Sequence, residues 1–306
     1  MIYTLTPNPS IDCFVSVDKL NTGSLNRTKA QRITFGGKGI NVSCVLAEFG
    51  VSNTALGFTS GFTGDEIKRE CEKKGINTDF VDLNNGFTRI NIKINDTAEE
   101  TEINSDGPII TEDKLNELFS KIEKLKTGDY ILLCGSTPKS VGNDIYSKIS
   151  EIASKNGANI IADTDGTALF DILKYKPFFV KPNIDELKRL FDAEIDNSEQ
   201  CVRYAKELIK RGAQNVIVSR GSLGAIMVTK HGDVFKADAL KGKVLGTVGA
   251  GDSMVAGTLA EYEKSKDLKR AFLFGAAAGS ACAFSEGLAK YELSEKLFNE
   301  LLNTNS

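Results

Sequence analysis

Strand-like and helix-like segments alternate along most of this chain, and that alternation limits the possible folds more than any other feature. Ile2–Thr6 reads as a buried strand, and residues 54–58 are apolar again. Residues 40–49 have helical spacing and stop at Gly50; residues 65–74 do the same and stop at Gly75. Strand Tyr130–Cys134, helix 143–155 and strand 159–162 follow. Strand 178–180, helices Ile184–Phe191 and Ser198–Lys210, and strand 215–218 come next. Parallel neighbours need a crossover, usually a helix, so the pattern predicts an α/β fold with a mostly parallel sheet covered on both faces.

Two pieces break the pattern. Residues 11–17 with 29–35, and 88–94 with 99–104, are pairs of short strands with no helix between them. Arg89-Ile-Asn-Ile-Lys-Ile94 alternates, which gives one apolar and one polar face. These four strands are expected to form a small sheet beside the main body, serving as a lid or a dimer surface. At 306 residues, the chain fits one large unit over 1–306, with lid strands inserted at about 11–35 and 86–105.

Composition removes several function classes. Net charge is -3 with no long Lys/Arg block, so a basic nucleic-acid-binding face is not expected. The six cysteines include no C-x-x-C pair, which argues against a zinc site or redox dithiol and for reduced thiols in the cytoplasm. The N-terminus is polar too soon for a signal peptide, and no run reaches the roughly 18 apolar residues of a membrane span. Residues 271–284 read as a buried core helix. The single histidine, His231, lies in the hairpin-like Lys230-His-Gly-Asp233, which speaks against Ser-His-Asp and Cys-His hydrolases.

Four stretches carry chemistry. In Thr247-Val-Gly-Ala-Gly-Asp-Ser-Met254, small residues Gly249, Ala250 and Gly251 leave backbone amides open at the start of a helix. Such a helix start attracts anions, and Asp252 in its first turn can accept a proton beside them. A plain capped helix explains the same residues about equally well. Gly36-Gly-Lys-Gly-Ile-Asn41 lacks the spacing of a P-loop but lets a ligand approach closely, with Lys38 near a phosphate. In Lys181-Pro-Asn-Ile-Asp-Glu186, Asn183 and Glu186 share a helical face that fits a hydrated Mg²⁺. A capping box is the simpler account of that pair. Ser219-Arg-Gly-Ser-Leu-Gly224 is either a nucleotide cradle or only a turn between strands.

Taken together and in this order, these stretches resemble the ribokinase/PfkB carbohydrate-kinase family over nearly the whole chain. Asn8-Pro-Ser-Ile-Asp12, Thr88-Arg-Ile-Asn-Ile-Lys93 and Gly135-Ser-Thr-Pro138 are most similar to members that phosphorylate fructose 1-phosphate. The resemblance implies a ribokinase-like three-layer α/β/α fold with a small β-sheet lid, and homodimers formed through that lid. It implies ATP and Mg²⁺ as cofactors and a small sugar phosphate as substrate, phosphorylated at its 6-hydroxyl. Kinases of tagatose 6-phosphate or fructose 6-phosphate are the neighbouring alternatives; a non-catalytic sugar-phosphate-binding regulator is a more distant one. By position, the resemblance makes Asp252 the base and Gly249, Ala250 and Gly251 the anion hole. Asp12, Gly37 and Asn41 are implied to hold sugar hydroxyls, and Lys38, Arg89, Arg27 and Ser136 the existing phosphate. Asn183, Lys181, Ser219, Gly221 and Gly224 are implied to hold the nucleotide, and Glu186 the metal through water.

Overall fold

A computed structural model describes residues 1–304 except Ala98, Asn143 and Asp165. Asn143, expected to open a helix, and the last two residues of the expected unit therefore lie outside the described residues.

In chain order the first half contains β1 (Ile2–Thr6), β2 (Ser10–Ser16), β3 (Ala30–Gly36), α1 (Lys38–Glu48), β4 (Asn53–Thr59) and α2 (Gly61–Lys73). After these come β5 (Asn77–Thr78), β6 (Val81–Asp82), β7 (Ile90–Asn95), β8 (Glu100–Ile103), α3 (Glu112–Ile122) and β9 (Tyr130–Cys134). The second half runs α4 (Ile145–Lys155), β10 (Asn159–Asp163), α5 (Thr167–Leu173), β11 (Phe179–Val180), α6 (Ile184–Phe191) and α7 (Ser198–Lys210). It closes with β12 (Asn215–Ser219), β13 (Ala225–Thr229), β14 (Val234–Ala237), α8 (Ala250–Ser265), α9 (Leu268–Ala283) and α10 (Tyr291–Thr304).

The large sheet has the order β14-β13-β12-β11-β10-β9-β1-β4-β5, with β6 also on β4. It is parallel from β5 to β12, and antiparallel only through β13 and β14. Strand β9, Tyr-Ile-Leu-Leu-Cys, is buried along its whole length, as a strand covered on both faces must be. One face packs on α3–α7 through residues such as Leu118, Ile149, Leu187 and Leu208. The other packs on α1 and α8–α10 through Val45, Val255, Phe272 and Leu297. This is the expected three-layer α/β/α arrangement, and the apolar run at 271–284 falls in α9.

The four interrupting strands form a separate sheet in the order β3-β2-β7-β8. Its outcome matches the expectation, with one refinement: β2 and β7 pair parallel, while the two outer pairs are antiparallel. Helix α2 starts four residues before the spacing suggests, because Gly61 takes φ 59° and turns the chain straight into the helix. Helix α1 likewise starts at Lys38 rather than at Ile40.

The chain leaves β1 for β4 on one side, while β9–β12 build outward on the other. Such a reversal opens a crevice at the carboxyl ends of the strands. Thr6, Cys134, Asp163 and Lys181, all at or just beyond strand ends, line a cavity there.

Candidate active site

The cavity is about 980 Å³ and runs from the start of α8 to the underside of the small sheet. It therefore has an acidic end on the main body and a polar end beneath the lid.

At the acidic end, Gly249 caps α8 with φ 84°, a left-handed conformation. A Cβ at this position would also sit 2.5 Å from the Leu288 side chain. The left-handed φ is what calls for glycine here, and a side chain would in addition have to displace the end of Leu288. Among the described residues, no acceptor faces the backbone amides of Gly249, Gly251 and Asp252, as expected of a first helical turn. The Ala250 amide differs: it donates to Thr247 O at 3.2 Å, so it is already used within the turn. Ala250 is also absent from the cavity wall.

Asp252 points into this space with only 6% of its surface exposed. Asn41 Nδ2 donates to its Oδ2 at 2.8 Å. Burial pushes the Asp252 carboxyl up to about 6, and the charge of Asp163 adds to this; the Asn41 bond and the charges of Lys38 and Lys181 pull the other way. An acid held near neutrality and hydrogen-bonded on one oxygen only is suited to take a proton from an alcohol.

Asp163 ends β10 and is nearly fully buried. Lys181 Nζ lies 3.2 Å from its Oδ1, and Lys38 Nζ 3.7 Å from its Oδ2. Burial works against the Lys38 charge, but Asp163, Asp252 and Glu186 outweigh it and hold the ammonium above its ordinary range. Lys38 therefore stands in the field of the acidic end, within reach of Asp163. Gly37 in front of it has φ 123°, and a Cβ there would collide with Thr6 Cγ2 at 2.4 Å.

Under the lid, Asp12 Oδ1 accepts bonds from Asn91 Nδ2 at 2.8 Å and Ser10 Oγ at 2.9 Å. Two guanidinium nitrogens of Arg89 donate to backbone carbonyls, to Asn8 O at 3.0 Å and to Ser105 O at 3.3 Å. Burial lowers the Arg89 pKa, opposed by Asp12 and Asp106. Ser136 is in the wall. Arg27 is not: it is exposed in the loop between β2 and β3, so the structure does not bring it to the others.

At the nucleotide motifs, the capping box is present. Asn183 Oδ1 accepts from the Glu186 amide and Glu186 Oε2 from the Asn183 amide, each at 2.8 Å. Both residues still line the cavity. A backbone bridge pairs Asn183 with Ser219, which joins the two expected nucleotide stretches. Gly221 and Gly224 shape the turn after β12 but are not in the cavity wall. Among the described residues no three His, Cys, Asp or Glu side chains cluster as a metal cage. One remaining Glu186 oxygen suits Mg²⁺ bound through its water shell, since Mg²⁺ dehydrates reluctantly.

Asp163, Asn8, Asn91, Lys93, Glu102 and Asn104 also face the cavity and were not expected there. A signal existed for some of them. Asp163 is the acidic residue that ends an apolar parallel strand, where ligands bind. Asn91 and Lys93 are the polar positions of the alternating strand β7.

The profile of the pfkB family carbohydrate kinases matches residues 8–294. The chain belongs to that family. As a pfkB-family protein it is a phosphotransferase that acts on a sugar hydroxyl. It is 42% identical over 301 residues to the 1-phosphofructokinase of Bacillus subtilis, covering 98% of both chains. It is also 42% identical over 289 residues to the D-tagatose-1-phosphate kinase of Bacillus licheniformis, covering 94% of each. Among solved structures, Escherichia coli phosphofructokinase-2 in complex with substrates and products superposes with a TM-score of 0.91 at 29% identity, covering 98% and 99%.

Proposed function

We propose that this chain is an ATP-dependent kinase of fructose 1-phosphate that gives fructose 1,6-bisphosphate, working as one kinase domain with its lid. The observation that carries this reading is Asp252, buried and lifted toward neutrality beside unoccupied amides at the start of α8.

In the mechanism, Asp252 accepts the proton of the sugar's 6-hydroxyl as that oxygen attacks the terminal phosphorus of ATP. The bond from phosphorus to the ADP oxygen breaks, and ADP leaves. The amides of Gly249, Gly251 and Asp252 stabilise the charge on the moving phosphoryl group. Lys38 and Lys181, both held by Asp163, supply positive charge at the same end. Asp12 and Asn91 orient the sugar from the lid, and the lid keeps out water that would otherwise take the phosphoryl group. Mg²⁺, held by Glu186 through water, would neutralise nucleotide phosphate charge.

Equal identity to a D-tagatose-1-phosphate kinase supports that ketose 1-phosphate as a second substrate. ADP release measured across a panel of sugar phosphates tests both. The expected result is turnover highest with fructose 1-phosphate. Binding without any turnover would instead support the regulator.

The lid's outer face supports a homodimer. Ile33, Cys13, Ile92 and Ile103 lie side by side across its four strands. The three isoleucines are 61%, 37% and 54% exposed. An apolar row of this kind favours burial against a second copy. No helix among the described residues is long and apolar enough to cross a membrane. The six free thiols fit a reducing compartment such as the cytoplasm.

A further inference from the structure

The inner face of the lid carries a second row across all four strands: Arg32, Phe14, Lys93 and Glu102 are register neighbours. The Arg32 guanidinium lies 4.5 Å from the centre of the Phe14 ring, and Lys93 Nζ lies 5.9 Å from that centre. Lys93 is ion-paired with Glu102, and Asn104 Nδ2 donates to Glu102 Oε2 at 3.1 Å. Lys93, Glu102 and Asn104 all line the cavity, beside Asn91 and Arg89.

Four cationic side chains of the described residues line this cavity: Lys38, Arg89, Lys93 and Lys181. Lys38 and Lys181 are bound to the buried Asp163 at the acidic end. Arg89 spends two of its nitrogens on backbone carbonyls, which ties it to the chain. Lys93 differs from all three. Its side chain is only 16% exposed, yet its partner Glu102 is 43% exposed. A partly solvated carboxylate that keeps a second bond from Asn104 can release its lysine at small cost. A phosphate dianion carries more charge and more acceptor oxygens than that carboxylate.

Resting on the sugar-phosphate kinase reading above, we propose that Lys93 takes the phosphate already present on the sugar, exchanging Glu102 for it as substrate enters. Glu102 then sets specificity. It keeps Lys93 neutralised against sugars that bring no phosphate, because a neutral sugar has nothing to exchange. The two residues of the pair consequently act on substrate binding with opposite signs.

Steady-state kinetics of the full chain with ATP and fructose 1-phosphate test this. Lys93→Met should raise the KM for the sugar phosphate about 10- to 100-fold, as expected for losing one charge-assisted hydrogen bond. The KM for ATP and kcat should stay within about twofold, since Lys93 is outside the transfer end. Lys93→Arg should recover most of the loss. Glu102→Gln should lower the same KM several-fold, which no merely misfolded or loosened lid could do. An active parent whose KM is unmoved by Lys93→Met overturns the inference alone. So does a Glu102→Gln variant whose KM rises in step with Lys93→Met, since a purely structural pair behaves that way. A parent inert toward every sugar phosphate overturns the underlying reading as well.

Discussion

At the scale of single residues, the chemistry depends on how Asp252 is kept ionisable near neutrality. Burial and the nearby Asp163 raise its pKa to about 6, while Asn41, Lys38 and Lys181 restrain the rise. Proton abstraction needs the ionised form, so kcat/KM should fall as pH drops through about 6, well above the ordinary aspartate range. Asp163→Asn removes a neighbouring negative charge and releases two lysines, and both changes favour ionised Asp252. Its acid limb should therefore move to lower pH; a limb that stays in place or moves upward would contradict the assignment. Asp252 was legible in the sequence because its setting is local: two glycines and a helix start within four positions. Asp163 was legible only as the acid that ends a strand; its role comes from Lys38 and Lys181, which reach it from two other parts of the fold.

At the scale of elements, the lid shows what alternation reveals and what it leaves open. Period-two patterning in β7 marked a two-faced strand, and the small sheet formed as expected. Which face turns inward was not legible. The inner face is polar because it covers a charged cleft rather than an apolar core, so Asn91 and Lys93 point in and Ile92 points out. That exposed isoleucine row yields a prediction about assembly. Ile92 sits in the middle of that row, and a glutamate there would be buried without a partner on association, so Ile92→Glu should convert a dimer to monomers in sedimentation equilibrium. A parent chain that is monomeric at micromolar concentration would refute the lid interface. Helix α2 begins ahead of the span 65–74 that the spacing marks, because Gly61 and Gly64 add nothing to an apolar stripe yet sit inside the helix.

At the scale of the whole molecule, helix-strand alternation foretold two covered faces, since parallel strands require crossovers. Strand order was beyond it: the reversal at β1 that opens the cavity depends on where each crossover lands. The fold also bears a thermodynamic cost for its site. Holding a buried acid at about 6 rather than near 4 costs the native state about 3 kcal/mol once it is ionised. That penalty is absent below about pH 4, grows between 4 and 6, and is complete above. Asp252→Asn removes it, so the variant should melt at higher temperature than the parent at pH 7.5, and the gap should close toward pH 4. The turnover number of this same folded variant reports whether Asp252 takes the proton of the attacking hydroxyl. Its kcat should be lower by about 10²- to 10⁴-fold with the KM for ATP retained; a kcat equal to the parent's would contradict that role.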